Sequence, residues 1–129
     1  MTPVTLDSGA LIAIERRRPR GSMLLKAALE QRIRLLVPTV VHAEWWRGRS
    51  DVHDHIKAAI TLVPFPIGAA EAAGAVLGRL GAERRAGLAV DVMVMAFAAT
   101  VGGAVVYTSD LDDLQHIGVH FPAVRVLSV

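Results

Sequence analysis

Short apolar runs alternate with longer stretches of helical periodicity along the whole chain. Residues 4–6, 34–37 and 104–107 read as strands, the second ended by Pro38. Leu62 and Val63 begin another, punctuated by Pro64 and Pro66, and residues 124–127 make a fifth. Between them, residues 8–18 predict a helix stopped before Pro19. Residues 22–32 predict a second, with Leu24, Leu25, Ala28 and Leu29 at helical spacing. Thr39 is placed to cap a helix through Arg47, with Gly48 as its stop. Further helices are expected over residues 51–60, 69–83, 88–101 and 110–116. That alternation predicts an α/β fold, a five-stranded parallel sheet sandwiched by helices.

The 129 residues and the 53% apolar share suit one compact domain over residues 1–129 with both sheet faces covered. Residues 92–108 carry no charge, close to the minimum for a membrane span. Gly102 and Gly103 interrupt them, so a buried helix, a turn and a central strand explain the run better. The first six residues have neither a basic segment nor a signal-like apolar core, so a cytoplasmic protein is expected. The absence of cysteine excludes disulfides, zinc–thiolate sites and thiol nucleophiles.

Formal net charge is only +2, yet the pI is about 9.7. Of the fourteen basic residues only Lys26 and Lys57 are lysines. Arginine favours planar, bidentate partners such as phosphate. The arginines cluster: Arg16, Arg17, Arg18 and Arg20; Arg47 and Arg49; Arg79, Arg84 and Arg85. Solvated helix ends would account for these groups. A basic rim that draws in a polyanion is the sharper alternative.

Four acids stand where strands give way to helices: Asp7, Glu44, Asp91 and Asp110. If the strands are parallel, their carboxyl ends share one edge, where ligands of open α/β sheets bind. Two unit charges 4 Å apart repel by roughly 4 kcal/mol at an effective dielectric near 20. A hard divalent cation is the simplest compensation. Singly, each acid has a plainer role. Asp7 could cap a helix, Glu44 could pair with Arg47, and Asp110 could form a capping box with Asp113. Asp91 is different, because its neighbours are apolar nearly all round and its position is expected near a helix start. A buried carboxylate needs a partner or a shifted pKa.

Together these segments resemble the PIN-domain family of metal-dependent ribonucleases, most of all the small VapC toxins of bacterial toxin–antitoxin systems. Residues 6–13 (LDSGALIA) resemble the opening motif, with Asp7 as its acid. Residues 38–44 (PTVVHAE) resemble the second, with Glu44. Asp91 followed by Val94, Ala96 and Ala98 resembles the third, and residues 105–112 (VVYTSDLD) the fourth. The family often has an aromatic residue just after its final acid, where this chain has Asp113-Leu114, so the place of Asp112 is open.

The resemblance implies a toxin that is a Mg²⁺- or Mn²⁺-dependent endoribonuclease, hydrolysing RNA phosphodiester bonds with a metal-activated water. Asp7 and Asp91 would hold the principal ion. Asp110 would complete the shell or hold a second ion, Asp112 is a further candidate ligand, and Glu44 would ligate through water or orient the attacking water. Ser8 and Thr108 would orient carboxylates by hydrogen bonds. Arg47 and Arg49 would bind flanking phosphates of the RNA. A VapB-type antitoxin is the implied partner, in a homodimer or in a heterotetramer or hetero-octamer with it.

The histidines show no zinc pattern: His53 and His55 do not share a helix face, and Gly118 separates His116 from His120. Trp45 and Trp46, adjacent on a helix, should point different ways, one inward and one exposed to a partner or a stacked base. A dehalogenase-type phosphatase would need an aspartate at Gly9, and a receiver domain a lysine after a late strand. The remaining alternative is a catalytically inactive PIN-like module that binds RNA or protein.

Overall fold

The computed structural model describes residues 1–48 and 50–129; within residues 82–86 it describes the backbone alone. The chain begins with β1 (Thr2–Leu6), α1 (Ser8–Glu15), α2 (Pro19–Leu29) and β2 (Ile33–Pro38). It continues through α3 (Thr39–Trp45), α4 (Asp51–Ala59), β3 (Thr61–Val63), α5 (Ile67–Arg79) and α6 (Ala82–Thr100). It closes with β4 (Val105–Thr108), α7 (Leu111–Ile117), a single 3₁₀ turn (Gly118–His120) and β5 (Arg125–Ser128).

The five strands form one sheet in the order β3-β2-β1-β4-β5, every pair parallel. The expected α/β sandwich is therefore present. From β1 the chain steps outward to β2 and β3, then returns past β1 to β4 and β5. Right-handed crossovers then place α1–α4 on one face and α5–α7 on the other. The reversal of direction leaves a crevice between the carboxyl ends of β1 and β4, the place where open α/β sheets take their ligands.

The central strands are buried on both faces, so they read as continuous apolar runs: Val4 and Leu6 in β1, Leu35, Leu36 and Val37 in β2. Leu11, Val41, Val92, Met95, Phe97 and Leu114 fill the two helix–sheet layers with no solvent exposure. Each such side chain contributes about 1.5–3 kcal/mol by leaving water. Gly103, at φ +83°, lets the turn after α6 pass against the carbonyl of Pro3. Any Cβ there would overlap it. Among the described residues no helix is long and apolar enough to cross a membrane.

Several boundaries differ from the sequence reading: the helix expected over residues 69–83 ends at Arg79 and gives way to a new helix at Ala82, and three more bear on the site. Pro19 opens α2 instead of merely ending α1, because proline at a first helical position leaves no useful donor unpaired. Thr39 is the first residue of α3 and not its cap; its hydroxyl accepts from the Phe65 amide at 3.1 Å and ties α3 to the segment after β3. The helix carrying Asp91 begins at Ala82, so Asp91 lies mid-helix and not near its start.

Candidate active site

Asp7 follows β1 directly and caps α1, its Oδ1 accepting from the Ala10 amide at 2.8 Å. Its own amide donates to the Tyr107 carbonyl of β4 at 3.3 Å, which fixes it at the crevice. Thr108 ends β4 and is fully buried. Its hydroxyl oxygen accepts from the Asp110 amide at 2.9 Å and the hydroxyl donates to the Asp7 carboxylate. One side chain thus joins the first and fourth motifs.

Gly9 holds the same two segments together. A Cβ on Gly9 would overlap the Ser109 hydroxyl, so only glycine lets the loop after β4 come this close to the first turn of α1. Gly9 therefore does more than make a tight turn after Asp7.

Glu44 projects from α3 and is exposed. The Ser8 hydroxyl donates to its Oε1 at 3.2 Å, linking the second motif to the first. Asp91 reaches the crevice from α6 and is half-buried. Asp110 occupies the N-cap of α7, where both the amide and the carboxyl of Asp113 act on its carboxyl.

The charges record this convergence. Burial pushes the Asp7 carboxyl above its ordinary range, and Glu44 and Asp110 push the same way, against the hydrogen bonds from Thr108 and Ala10. The Asp91 carboxyl is pushed up to about 6, first by burial, then by Asp7, Asp113, Asp110 and Glu44. Asp110 is raised by its shared hydrogen bond with the Asp113 carboxyl, by burial and by the charge of Asp113, against a hydrogen bond from the Asp113 amide.

Asp113 thus acts on Asp91, and Asp112 is not among the charges that do. Asp112 is exposed on α7, where its carbonyl meets His116 Nδ1 at 2.8 Å. The reason is helical geometry. Residues three apart share a face, so Asp113 falls beside Asp110 while Asp112 is turned away. That spacing was present in the sequence as the capping-box pattern.

Arg47 lies just beyond α3 and is exposed. Arg49 and the side chains of Arg84 and Arg85 fall outside the described residues. Trp45 is buried, its Nε1 donating to Glu15 Oε1 at 3.0 Å, an oxygen also 3.3 Å from His53 Nε2. Trp46 is half-buried and not fully exposed as expected, with Lys57 Nζ 5.2 Å from its ring centroid.

Among the described residues no three Asp, Glu or His side chains stand close enough to form a ready-made cation cage. What the crevice offers is a set of oxygen-only donors that repel one another, with Asp7, Asp91 and Asp110 pushed above the ordinary carboxylate range. Carboxylates in that state bind protons or a hard divalent cation, so the donor set fits Mg²⁺ or Mn²⁺.

A family model described as the PIN domain matches residues 4–119. The chain belongs to the PIN-domain family. No curated protein sequence matches it. Among solved structures, it is similar to a chain of "VapBC2 from Rickettsia felis bound to a DNA fragment from their promoter". The TM-score is 0.71, with 98% of each chain covered and 12% sequence identity. Identity that low carries the fold alone.

Proposed function

We propose that the chain is a divalent-metal-dependent endoribonuclease, the toxin of a VapBC-type toxin–antitoxin pair. The observation that carries this reading is the convergence of four motifs on one carboxylate: Asp7, Glu44, Asp110 and Asp113 all press on Asp91. A purely structural crevice gains nothing from charges that repel, whereas a cation site needs them. The PIN family match and the VapBC2 fold likeness agree with it.

Asp7 and Asp91 would hold the cation, with Asp110 completing the shell and Asp113 or Asp112 supporting it. Mg²⁺ or Mn²⁺ there would lower the pKa of the attacking water, neutralise phosphoryl charge and stabilise the leaving oxygen. Glu44, exposed and held by Ser8, orients the water and accepts its hydrogen bond. The hydrogen bond from Thr108 favours the ionised form of Asp7 and orients its carboxylate. The water oxygen bonds to phosphorus as one ester oxygen leaves with a proton, giving a phosphate monoester and a hydroxyl. Arg47, with Arg49, binds flanking phosphates. The partner in this reading is a VapB-type antitoxin.

The test is cleavage of a structured RNA pool by the purified chain in Mg²⁺ or Mn²⁺, beside EDTA and an Asp91→Asn control. Cuts at a few discrete sites, lost in both controls, support the proposal. No cutting, with calorimetry showing no Mn²⁺ bound, would leave a non-catalytic binding module. Cutting that survives Asp91→Asn would place the active site elsewhere.

A further inference from the structure

The short segment 46–50 joins α3 to α4 and carries Arg47. Packing does not hold its turn: Gly48 stands at φ +99°, with nothing within 4 Å of the place a Cβ would take. Side chains of α4 hold it instead. His53 Nδ1 lies 3.3 Å from the Gly48 carbonyl oxygen. The Ser50 hydroxyl accepts from the His53 amide at 3.1 Å and caps the helix. Lys57 Nζ sits over the Trp46 ring, and the Trp46 amide donates to the His42 carbonyl at 2.8 Å. Arg47 therefore stands between two fixed neighbours, Trp46 and Gly48.

Glu15, at the end of α1, sets the ring of His53. Its Oε1 accepts from Trp45 Nε1 at 3.0 Å and lies 3.3 Å from His53 Nε2. Trp45 is buried, and the His53 ring meets it edge-on with centroids 4.6 Å apart. One carboxylate oxygen thus ties the last residue of α3 and the first turn of α4 to α1. Glu15 is not among the charges that act on Asp7 or Asp91, so any part it plays runs through α3, α4 and the segment between them.

We propose that Glu15 and His53 are positioning residues for substrate binding: His53, oriented by Glu15, holds the turn at Gly48 so that Arg47 presents its guanidinium to a flanking phosphate. Among the described residues no carboxylate pairs with Arg47. An exposed arginine gives up backbone and rotamer freedom when it binds. Fixing the backbone on both sides of it beforehand removes the backbone share of that cost. The inference rests on the reading that Arg47 contacts RNA, and adds which residues prepare that contact.

The experiment measures binding of a labelled single-stranded RNA pool by Asp91→Asn, and by that chain carrying Arg47→Ala, His53→Phe or both. Phenylalanine keeps a ring against Trp45, leaves the Trp45–Glu15 bond and removes both contacts of the ring nitrogens. Arg47→Ala should weaken binding about tenfold, as for a lost charge-assisted hydrogen bond. His53→Phe should weaken it about three- to fivefold alone, and by less than about twofold once Arg47 is alanine, because residues acting through one contact do not add. Glu15→Ala should resemble His53→Phe and gives a second reading should phenylalanine unfold the chain. Glu15→Gln, whose Oε1 still accepts from Trp45, should recover most of the loss. Thermal unfolding checks that the variants fold. A merely structural role would weaken binding equally with and without Arg47. That result, or unchanged binding in His53→Phe and Glu15→Ala, would overturn the proposal while RNA binding by the parent chain stands. A parent that binds no RNA, with a wild-type chain that cuts none, would overturn the nuclease reading and this inference with it.

Discussion

The Thr108 hydroxyl donates a hydrogen bond to the Asp7 carboxylate across the boundary between β4 and β1. The same oxygen accepts from the Asp110 amide at 2.9 Å. A fully buried threonine is the joint between two acids that are far apart in sequence. Thr108→Val keeps the shape and removes both bonds. It should raise the Asp7 pKa further, because the hydrogen bond that favours the ionised form is gone. Cleavage at neutral pH should fall about 10- to 100-fold, the usual cost of losing an orienting partner of a metal ligand. Thr108→Ser should recover most of it. Equal activity of Thr108→Val and wild type across the pH range would remove Thr108 from the site.

The Asp91 carboxyl, raised to about 6, makes a prediction about stability as well as activity. Its folded-state pKa lies above the ordinary carboxyl value of 3.8, so between pH 4 and 6 the folded chain binds more protons than the unfolded one. Stability from this group is therefore highest below that window and is lost as pH rises through 6. In metal-free buffer at pH 7, Asp91→Asn should raise Tm, since it removes a charge that burial and four acids disfavour. Added Mg²⁺ or Mn²⁺ should raise the wild-type Tm and leave the variant unmoved. Wild-type cleavage should decline below pH 6. A lower Tm for metal-free Asp91→Asn would contradict the electrostatic account.

Asp113 and Asp112 separate by the same logic. Asp113 presses on Asp91 and shares a hydrogen bond with Asp110, while Asp112 faces water on the adjoining side of α7. Asp113→Asn should lower the apparent pKa of the cleavage profile and weaken Mn²⁺ binding measured by calorimetry. Asp112→Asn should change both by less than about twofold, a surface substitution within about 0.5 kcal/mol. The reverse order would restore Asp112 as the participating acid.

Much of this arrangement was legible in the chain. The β-branched and leucine-rich runs at residues 4–6, 34–37 and 104–107 gave the central strands, because strands buried on both faces cannot hide polar positions. Asp7, Glu44 and Asp110 followed from their places after those strands. The helix carrying Asp91 was misread at its start. Arg84, Arg85 and Gly87 look like a loop, yet arginine is a good helix former and one glycine costs only about 1 kcal/mol. Helix α6 therefore runs through them from Ala82, and Asp91 loses the help of a helix N-terminus. The Gly9–Ser109 contact was not legible, since it joins segments a hundred residues apart and depends on how α1 and the β4–α7 loop pack.

That contact supplies a prediction of its own. Gly9→Ala places a methyl group against the Ser109 hydroxyl and 3.3 Å from its amide nitrogen. The serine side chain turns aside, but the loop carrying Asp110 must also give way slightly. Overpacking of this kind costs about 1–3 kcal/mol. Stability in urea should fall by that amount, and cleavage should fall further than stability explains. Adding Ser109→Gly should restore both. A Gly9→Ala chain with full activity would show that the two loops tolerate separation.

Arg47 provides the last test, on the substrate side. It stands exposed just after α3, three residues from Glu44 and on the same side of the sheet as Ser8. If its guanidinium binds a flanking phosphate, the contact releases a counterion when RNA binds. For single-stranded nucleic acid each such contact contributes about 0.7 to the slope of log affinity against log salt. Binding of a non-cleavable RNA by Asp91→Asn, measured between roughly 50 and 200 mM salt, should therefore lose about that much slope when Arg47→Ala is added. The loss should be similar for RNAs of different sequence, because phosphates carry no base information. Unchanged slope with weakened binding would make Arg47 a structural residue, and loss confined to one sequence would make it a base reader.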